Sequence, residues 1–255
     1  MPANFTRYAS LADKTVLITG GGSGIGASIV EAFVANRSKV AFLDILEGES
    51  LALVERLSAG GNAPLFIKCD LTDIEALRRA ITEASEKLGP IGVLVNNAAN
   101  DQRQPIDEVT PESWDWTQAL NLKHQFFAAQ AVRPGMRKLG GGSIVNFSSL
   151  AWMKGVPNLT AYATAKAAVV GLTQNLAREL GDENIRVNAI APGAVMTERQ
   201  RRLWVSEADM ENFKVAQCLH ESLTGDAIAP AVLFLASDDA RMVTKQCLVV
   251  DGGMH

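Results

Sequence analysis

A glycine-rich segment near the amino terminus places the strongest constraint on the fold of this chain. Thr19–Gly26 reads TGGGSGIG; it follows the apolar run Thr15–Ile18 and precedes a stretch in which Ile25, Ile29 and Phe33 recur at helical spacing. Glycine lets a backbone turn sharply and approach a pyrophosphate closely, and the first free N–H groups of the helix then face its negative charge. The same segment also fits a loop that only turns the chain, so downstream residues must decide. The residues predicted to contact a ligand here are Gly20, Gly22, Ser23, Gly24, Ile25 and Gly26.

Apolar runs alternate with helical patterns along the whole chain. Strands are predicted at 15–18, 39–44, 63–69, 91–95, 143–147, 185–190 and 246–250. This alternation predicts an α/β fold, a single Rossmann-type doubly wound domain over residues 1–255 with a seven-stranded parallel sheet flanked by helices. A short lead-in covers residues 1–12, and residues 194–223 break the rhythm. Strand carboxyl ends then share one edge, where ligands bind.

The helices are predicted from apolar spacing. A polar helix over 47–59 is expected to pack its leucines inward, a long helix runs from Pro111 to about Lys138, and another runs from about Thr160 to Leu180. The residues expected to face inward from the first of these are Leu51, Leu53, Val54 and Leu57.

Composition excludes several classes of protein. The net charge of −4 argues against a nucleic-acid surface, and no apolar run is long enough to span a membrane. The amino terminus has no apolar core of a secretion signal, so a cytoplasmic protein is expected. The three cysteines and three histidines have neither disulfide nor metal-ligand spacing, so no metal site is predicted. They are Cys69, Cys218, Cys247, His124, His220 and His255.

An acid ends the second predicted strand. Asp44 lies 18 residues beyond Gly26, where a carboxylate can accept hydrogen bonds from the ribose hydroxyls of NAD and repel the 2′-phosphate of NADP. No arginine follows it directly, so NAD is the expected cofactor and NADP is possible but disfavoured. A turn cap leading into Gly48 is the alternative interpretation. The other predicted nucleotide contacts are Ile45, Asp70, Leu71, Asn97, Ala98 and Ala99.

Tyr162 and Lys166 lie four residues apart on a predicted helix and so share one face. A lysine ammonium and an oxidised nicotinamide, both positive, favour the phenolate and would lower the tyrosine pKa from about 10. Tyr162 can then take a proton from a substrate hydroxyl, with Ser149 hydrogen-bonded to the same oxygen. Asn121 is expected to hold a water that links Lys166 to solvent. Taken alone, the tyrosine–lysine pair also fits an ordinary surface helix.

Together these motifs resemble the classical short-chain dehydrogenase/reductases, over residues 11–253. The residues that carry the resemblance are Thr19–Gly26, Asp70, Asn96–Ala98, Asn121, Ser149, Tyr162–Lys166, Pro192–Gly193 and Asp251–Gly253. Tyr162 lies thirteen residues after Ser149, which matches the family and selects Ser149 over Ser148.

The resemblance implies roles for particular residues. The implied catalytic tetrad is Asn121, Ser149, Tyr162 and Lys166, and the implied contacts to the nicotinamide and phosphates are Pro192, Gly193, Val195 and Thr197, with Tyr162 and Lys166. A homotetramer is also implied. One departure is Ala99, where the family usually has glycine; its methyl is expected to narrow the floor beneath the nucleotide.

Four shorter stretches resemble bacterial aldose 1-dehydrogenases of the D-xylose, L-rhamnose and L-fucose types. They are residues 97–101, 131–136, 195–200 and 216–219. This narrower resemblance implies oxidation of the anomeric C1 hydroxyl of a pentose or 6-deoxyhexose to a lactone.

The substrate pocket is expected after strands four, five and six, with a lid within about 194–223. The predicted contacts are Asn100, Asp101, Ser149, Trp152, Asn158, Tyr162, Arg199 and Trp204, with Arg103 nearby. A polar, aromatic-lined pocket suits a sugar better than a steroid or an acyl chain. Ordinary loop or packing roles are the alternative for each contact.

Two other functions compete. A 3-oxoacyl or other ketone reductase, or a secondary alcohol dehydrogenase, has the same catalytic residues, although such reductases usually prefer NADPH, which Asp44 disfavours. A protein that binds NAD without turnover is the third interpretation, and the presence of both Tyr162 and Lys166 argues against it.

Overall fold

A single parallel sheet organises the protein. The structure is a computed structural model that describes residues 5–255, so the first four residues of the predicted lead-in lie outside it. All strand pairs are parallel and the order is β3-β2-β1-β4-β5-β6-β7, which confirms the predicted doubly wound sheet of seven strands. The strands are β1 (Thr15–Thr19), β2 (Lys39–Asp44), β3 (Leu65–Lys68), β4 (Ile91–Asn96), β5 (Gly142–Phe147), β6 (Ile185–Pro192) and β7 (Cys247–Val250).

Helices connect the strands and cover both faces of the sheet. They are α1 (Gly24–Ala35), α2 (Glu47–Ser58), α3 (Ile74–Leu88), α4 (Pro111–Gln118), α5 (His124–Lys138), α6 (Ala151–Lys154), α7 (Thr160–Leu180), α8 (Glu198–Leu203), α9 (Glu207–Ala216) and α10 (Gly225–Ala236). Short 3-10 turns lie at Ala9–Leu11, Ile106–Glu108, Gly181–Glu183 and Asp238–Ala240.

The core has two layers, one on each side of the sheet. Buried side chains of α1, α2 and α10 fill one layer, and those of α3, α5 and α7 fill the other. Leu11 is fully buried in the first layer and anchors the lead-in, as expected. The order of strands reverses direction between β1 and β4, so the loops after these two strands border a crevice at the carboxyl edge.

One packing prediction was wrong. Leu51 was expected to face inward, but its side chain is 54% exposed, whereas Leu53 is 3% exposed. Leu51 and Leu53 are two positions apart, and such residues are separated by about 200° around the axis of an α-helix. The two leucines therefore cannot both face the same layer. The buried stripe of α2 passes through Leu53.

Two segments differ in detail from the sequence expectation. The long helix predicted from Pro111 is helical throughout, but a π-helical turn, Ala119–Lys123, separates α4 from α5. The irregular segment predicted at 194–223 contains the short helices α8 and α9. Both features lie beside the carboxyl edge of the sheet, where π turns and inserted helices commonly serve function.

Candidate active site

The glycine loop between β1 and α1 has no space for side chains at its turn. Gly20 has φ of +67°, and a Cβ there would lie 2.7 Å from the Cα of Ala98. A Cβ at Gly26 would lie 1.8 Å from the carbonyl oxygen of Gly20. Ser23 makes no side-chain capping bond to the twelve-residue helix α1. The first N–H groups of α1 therefore remain for an anion at the carboxyl edge, and the loop fits a pyrophosphate.

Asp44 joins the glycine loop to the turn that leads into α2. Its Oδ2 accepts a hydrogen bond from the N–H of Gly22 at 2.8 Å, and its Oδ1 accepts one from the N–H of Leu46 at 3.0 Å. A Cβ at Gly22 would lie 3.0 Å from Oδ2, so the loop packs directly against the carboxylate. Asp44 is 8% exposed and caps the turn, as the alternative interpretation held. A carboxylate has about four lone-pair sites, so two remain for ribose hydroxyls.

The segment after β4 holds the glycine loop from the opposite side. The Nδ2 of Asn97 donates to the carbonyl oxygens of Thr19 and Gly20 at 3.1 and 2.9 Å, and the N–H of Ala98 donates to the hydroxyl of Thr19 at 3.1 Å. Ala99 is exposed at this edge, so its methyl displaces nothing within the protein. Asn97 thereby fixes the loop that would carry the phosphates.

The segment after β6 also lies against the glycine loop. A Cβ at Gly193 would lie 2.7 Å from the Cβ of Asp251, so this turn accepts only glycine without movement. The hydroxyl of Thr197 caps α8 by accepting from the N–H of Gln200 at 3.2 Å. A Cβ at Gly24 would lie 3.1 Å from the Cγ2 of Thr197. Pro192 and Val195 are buried between these points.

The predicted adenine-side contacts are less engaged. The Oδ1 of Asp70 accepts from the N–H and the hydroxyl of Thr72 at 2.9 and 2.7 Å, so it caps its own turn. Ile45 is 61% exposed beside Asp44, and Leu71 is buried with its side chain in the core. The Leu71 side chain is therefore not available to a ligand.

Asn121 lies in the π turn and is fully buried. Its Oδ1 accepts from the N–H of Asn100 at 2.9 Å, and its Nδ2 donates to the carbonyl oxygens of Asn100 and Thr117 at 3.1 and 3.0 Å. The side chain thus ties the segment after β4 to the helix. The water contact expected of Asn121 stays a prediction.

The tyrosine, lysine and serine come together at the end of β5. The Nζ of Lys166 donates to the carbonyl oxygen of Phe147, the last residue of β5, at 2.8 Å and lies 5.7 Å from the centre of the Tyr162 ring. Ser149 follows β5; its hydroxyl accepts from the N–H of Ala151 at 3.2 Å and lies close enough to the Tyr162 phenol to oppose the rise in its pKa. Lys166 is 1% exposed.

Burial dominates the titration of this pair. It lowers the pKa of Lys166 to about 7, partly opposed by the charge of Asp101. It raises the pKa of Tyr162 well above its usual range, and the nearby Ser149 hydroxyl and the charge of Arg199 act in the opposite direction. Without a cofactor the net shift of the Tyr162 pKa is therefore upward. The lowering expected from Lys166 together with an oxidised nicotinamide stays a prediction. Desolvation outweighs an ammonium whose own charge is disfavoured.

The predicted substrate contacts separate into two groups. Asn100, Asp101 and Arg199 meet: Arg199 forms an ion pair with Asp101, and its Nη2 donates to the Oδ1 of Asn100 at 2.8 Å. The guanidinium of Arg103 lies 5.3 Å from the Trp204 ring centre, and the indole N–H of Trp204 is buried without a partner in the described chain.

Trp152 and Asn158 do not join that cluster by any hydrogen bond. The indole N–H of Trp152 donates to the Ser148 hydroxyl at 3.1 Å, and Ser148 in turn donates to the carbonyl oxygen of Lys166 at 2.7 Å. Asn158 is exposed with φ of +61°, and its carbonyl oxygen accepts from the N–H of Gln104 at 2.8 Å. Trp152 therefore supports the lysine helix, and Asn158 shapes a loop.

Sequence reasoning missed two residues. Gln200 donates through Nε2 to the Oδ2 of Asp101 at 2.6 Å. Its position next to Arg199 was the one feature of the sequence that could have indicated a role in the site. His124 is fully buried, and burial followed by the charge of Lys166 lowers its pKa to about 3. No motif or spacing indicates that His124 lies near Lys166.

Within residues 5–255, no group of three or more His, Cys, Asp or Glu side chains is arranged to hold a metal ion. None of the described helices is both long and apolar enough to cross a membrane.

Comparison with known proteins agrees with this geometry. A family model described as enoyl-(acyl carrier protein) reductase matches residues 20–255. The chain is 52% identical to the probable galactose dehydrogenase of Rhizobium meliloti, over 98% of each chain. It is 43% identical to the D-xylose 1-dehydrogenase of Caulobacter vibrioides, over 96% of this chain and 97% of that one.

A solved structure described as a putative short-chain alcohol dehydrogenase from Sinorhizobium meliloti superposes with a TM-score of 0.91 and 32% identity, over 97% of this chain and 98% of that one. The chain therefore belongs to the short-chain dehydrogenase/reductase family. It is an oxidoreductase of the kind that uses NAD(P).

Proposed function

We propose that this protein oxidises the anomeric C1 hydroxyl of an aldose to the lactone, with NAD as hydride acceptor and Tyr162 as the base. The observation that carries the proposal is the meeting of Ser149, Tyr162 and Lys166 at the end of β5, on the sheet edge that also bears the glycine loop. Relatives named for galactose and D-xylose support an aldose as substrate. A pentose or 6-deoxyhexose was expected from the sequence, and the galactose relative adds hexoses.

The glycine loop fits a dinucleotide because a Cβ at Gly20, Gly22 or Gly26 would strike protein atoms at 2.7, 2.4 and 1.8 Å. Gly24 and Ser23 would offer main-chain N–H groups to the pyrophosphate, and Asp44 would accept from the ribose hydroxyls. Thr197, which lies near Gly24, would contact the nicotinamide or the phosphates. When bound, the nicotinamide supplies the carbon that accepts hydride. The carboxylate of Asp44 favours NAD because it would repel a 2′-phosphate.

The protein's own residues handle the proton. Ser149 hydrogen-bonds the C1 hydroxyl of the sugar, and Tyr162 takes that hydroxyl proton as the C1 hydride departs, which leaves a C1 carbonyl, the lactone. Lys166, held by the carbonyl oxygen of Phe147 at 2.8 Å, supplies positive charge beside the phenolate. Burial raises the pKa of Tyr162, and a bound oxidised nicotinamide would add a positive charge that favours the ionised phenol.

The lid and the assembly belong to the same proposal. Residues 194–223, with α8 and α9, cover the substrate, and the chain forms a homotetramer in the cytoplasm. The three cysteines, which are free thiols, support a reducing compartment. Light scattering on the purified protein tests the assembly: a monomer mass overturns it.

The deciding experiment follows the absorbance of reduced nicotinamide with NAD, then NADP, across D-galactose, D-fucose, D-xylose, L-arabinose, L-rhamnose and L-fucose. Nuclear magnetic resonance then identifies the first product as a lactone. Turnover of one or two aldoses supports the proposal, and an inert panel with intact NAD binding rejects the aldose.

One observation favours the alternative, since the matching family model is described for a reductase of acyl carrier substrates. Oxidation of simple secondary alcohols, or NADPH-dependent reduction of 3-oxoacyl thioesters, at rates above those of any aldose would establish that function instead.

A further inference from the structure

The lid helix α8 contributes two side chains to the segment after β4. Arg199 and Gln200 both bind the carboxylate of Asp101, Arg199 at Oδ1 and Gln200 at Oδ2, the latter at 2.6 Å. Arg199 also donates to the Oδ1 of Asn100 at 2.8 Å. We name these four residues, Asn100, Asp101, Arg199 and Gln200, the lid clamp. Both oxygens of the Asp101 carboxylate are thus held by side chains that are distant in sequence, at separations of 98 and 99 positions.

The lid clamp lies between the glycine loop and the π turn Ala119–Lys123. On one side, Asn100 exchanges hydrogen bonds of 2.9 and 3.1 Å with the side chain of Asn121. On the other side, Thr197 caps α8 and packs near Gly24 of the glycine loop. A substrate positioned beside Tyr162 therefore has the lid clamp as a wall.

The charges of the lid clamp act on the tyrosine and lysine. Asp101 raises the pKa of Tyr162, Arg199 lowers it, and Asp101 also raises the pKa of Lys166. The remaining groups that face this pair are the Ser149 hydroxyl, which follows β5, and the His124 ring, which burial keeps neutral. The two charges of the Asp101–Arg199 pair thus act in opposite directions on the Tyr162 phenol, beside the larger influence of burial.

The Asp101 carboxylate keeps capacity for a ligand. It has about four lone-pair sites, and Arg199 and Gln200 occupy two of them. The side chain is 19% exposed, so the carboxylate is reachable but largely desolvated. A fixed, desolvated carboxylate accepts hydroxyl hydrogens well and penalises an analogue that lacks them.

We propose that Asp101 accepts hydrogen bonds from substrate hydroxyl groups beside Tyr162, that Arg199 and Gln200 position its carboxylate, and that Arg199 offsets its charge. This inference rests on the proposed oxidation of a polyhydroxylated substrate. Asp101 is then the residue that selects for hydroxyls near the reacting carbon, and Arg199 and Gln200 are positioning residues.

The first experiment compares Asp101→Asn, Arg199→Gln and the double variant in steady-state kinetics with the best aldose. Arg133→Gln is the matched control, because the Arg133–Glu183 pair has side-chain exposures of 38% and 18%, against 38% and 19% for Arg199–Asp101. Asp101→Asn and Arg199→Gln should each raise KM about 10-fold or more, while the Kd for NADH stays within about 2-fold. Arg133→Gln should leave both constants unchanged.

The second experiment measures the titration of Tyr162 directly and needs no sugar. The chain has two tyrosines, so ring-labelled protein in its complex with NAD gives one signal for Tyr162 beside one for Tyr8. Removing the negative charge in Asp101→Asn should lower the pKa of Tyr162, and removing the positive charge in Arg199→Gln should raise it. The double variant should return it close to the wild-type value while KM stays high.

These readouts separate the two proposals. If the wild type oxidises another hydroxyl compound but no aldose, the proposed function fails, and Asp101 is tested with that compound. Equal KM for Asp101→Asn and Arg133→Gln overturns the role in hydroxyl recognition. A Tyr162 titration that is the same in the wild type, Asp101→Asn and Arg199→Gln overturns the charge balance, with or without a sugar substrate.

Discussion

Replacement of Asp44 by alanine should cost stability as well as cofactor selectivity. The carboxylate accepts from the N–H groups of Gly22 at 2.8 Å and Leu46 at 3.0 Å, and it is 8% exposed. Each buried donor left without a partner costs about 1–3 kcal/mol. The Gly22 donor is buried, whereas the Leu46 donor is partly open to water, so we expect a loss of about 3 kcal/mol. For a chain of this length that corresponds to a fall in Tm of about 6–12 °C.

Asp70→Ala is the matched control for this prediction. Asp70 follows the neighbouring strand and accepts two hydrogen bonds from Thr72, but it is exposed, so water replaces the lost acceptor. Its loss should cost about 1 kcal/mol or less. Urea unfolding of both variants without dinucleotide measures the difference. Equal stabilities for the two variants would refute the argument that Asp44 holds the glycine loop.

The same Asp44→Ala variant tests selectivity. Fluorescence titration with NADH and NADPH should show the preference for NADH narrowing, because the repelling carboxylate is gone. Affinity for both should also fall, because the loop loses its support. An unchanged ratio of the two Kd values would assign Asp44 to structure alone.

Three further predictions follow from the site. Tyr162→Phe should lower kcat by at least about 1,000-fold with the Kd for NADH nearly unchanged, because only proton transfer is removed; substantial residual turnover contradicts the base assignment. Gly26→Ala should weaken NADH binding about 10–100-fold, because the added Cβ would lie 1.8 Å from the Gly20 oxygen. Gly181→Ala is the control, because a Cβ there meets nothing within 4 Å and NADH binding should not change. Equal Kd values for NADH in the two variants would contradict the loop geometry. The pKa of Lys166 is about 7 in the folded protein, so above pH 7 the folded protein binds fewer protons than the unfolded chain. The free energy of unfolding of the wild type, relative to that of Lys166→Met, should therefore rise between pH 7 and 10. If urea unfolding gives the same pH dependence of stability for both proteins, this prediction is wrong.

The sequence by itself determined the fold class and the order of its elements. Periodicity and glycine spacing are local properties, so β1, the glycine loop and α1 could be predicted from adjacent residues. Parallel strands share a carboxyl edge, so the end of each strand marked a candidate site residue without any coordinates. The structure confirms the seven-stranded parallel sheet that this reasoning predicted. Amphipathic detail was less reliable, as Leu51 shows, because residues two positions apart on a helix face different sides and only one of them meets the sheet.

Only the tertiary structure decided the partners and the protonation of the site. Asp101 and Arg199 are 98 residues apart, and no local pattern pairs them. The direction of the Tyr162 pKa shift depends on how deeply the chain buries the ring, because desolvation of a charged group is a property of the whole surroundings rather than of one neighbour four residues away. Long-range pairing and burial arise when distant segments pack together, and a linear pattern does not contain that information.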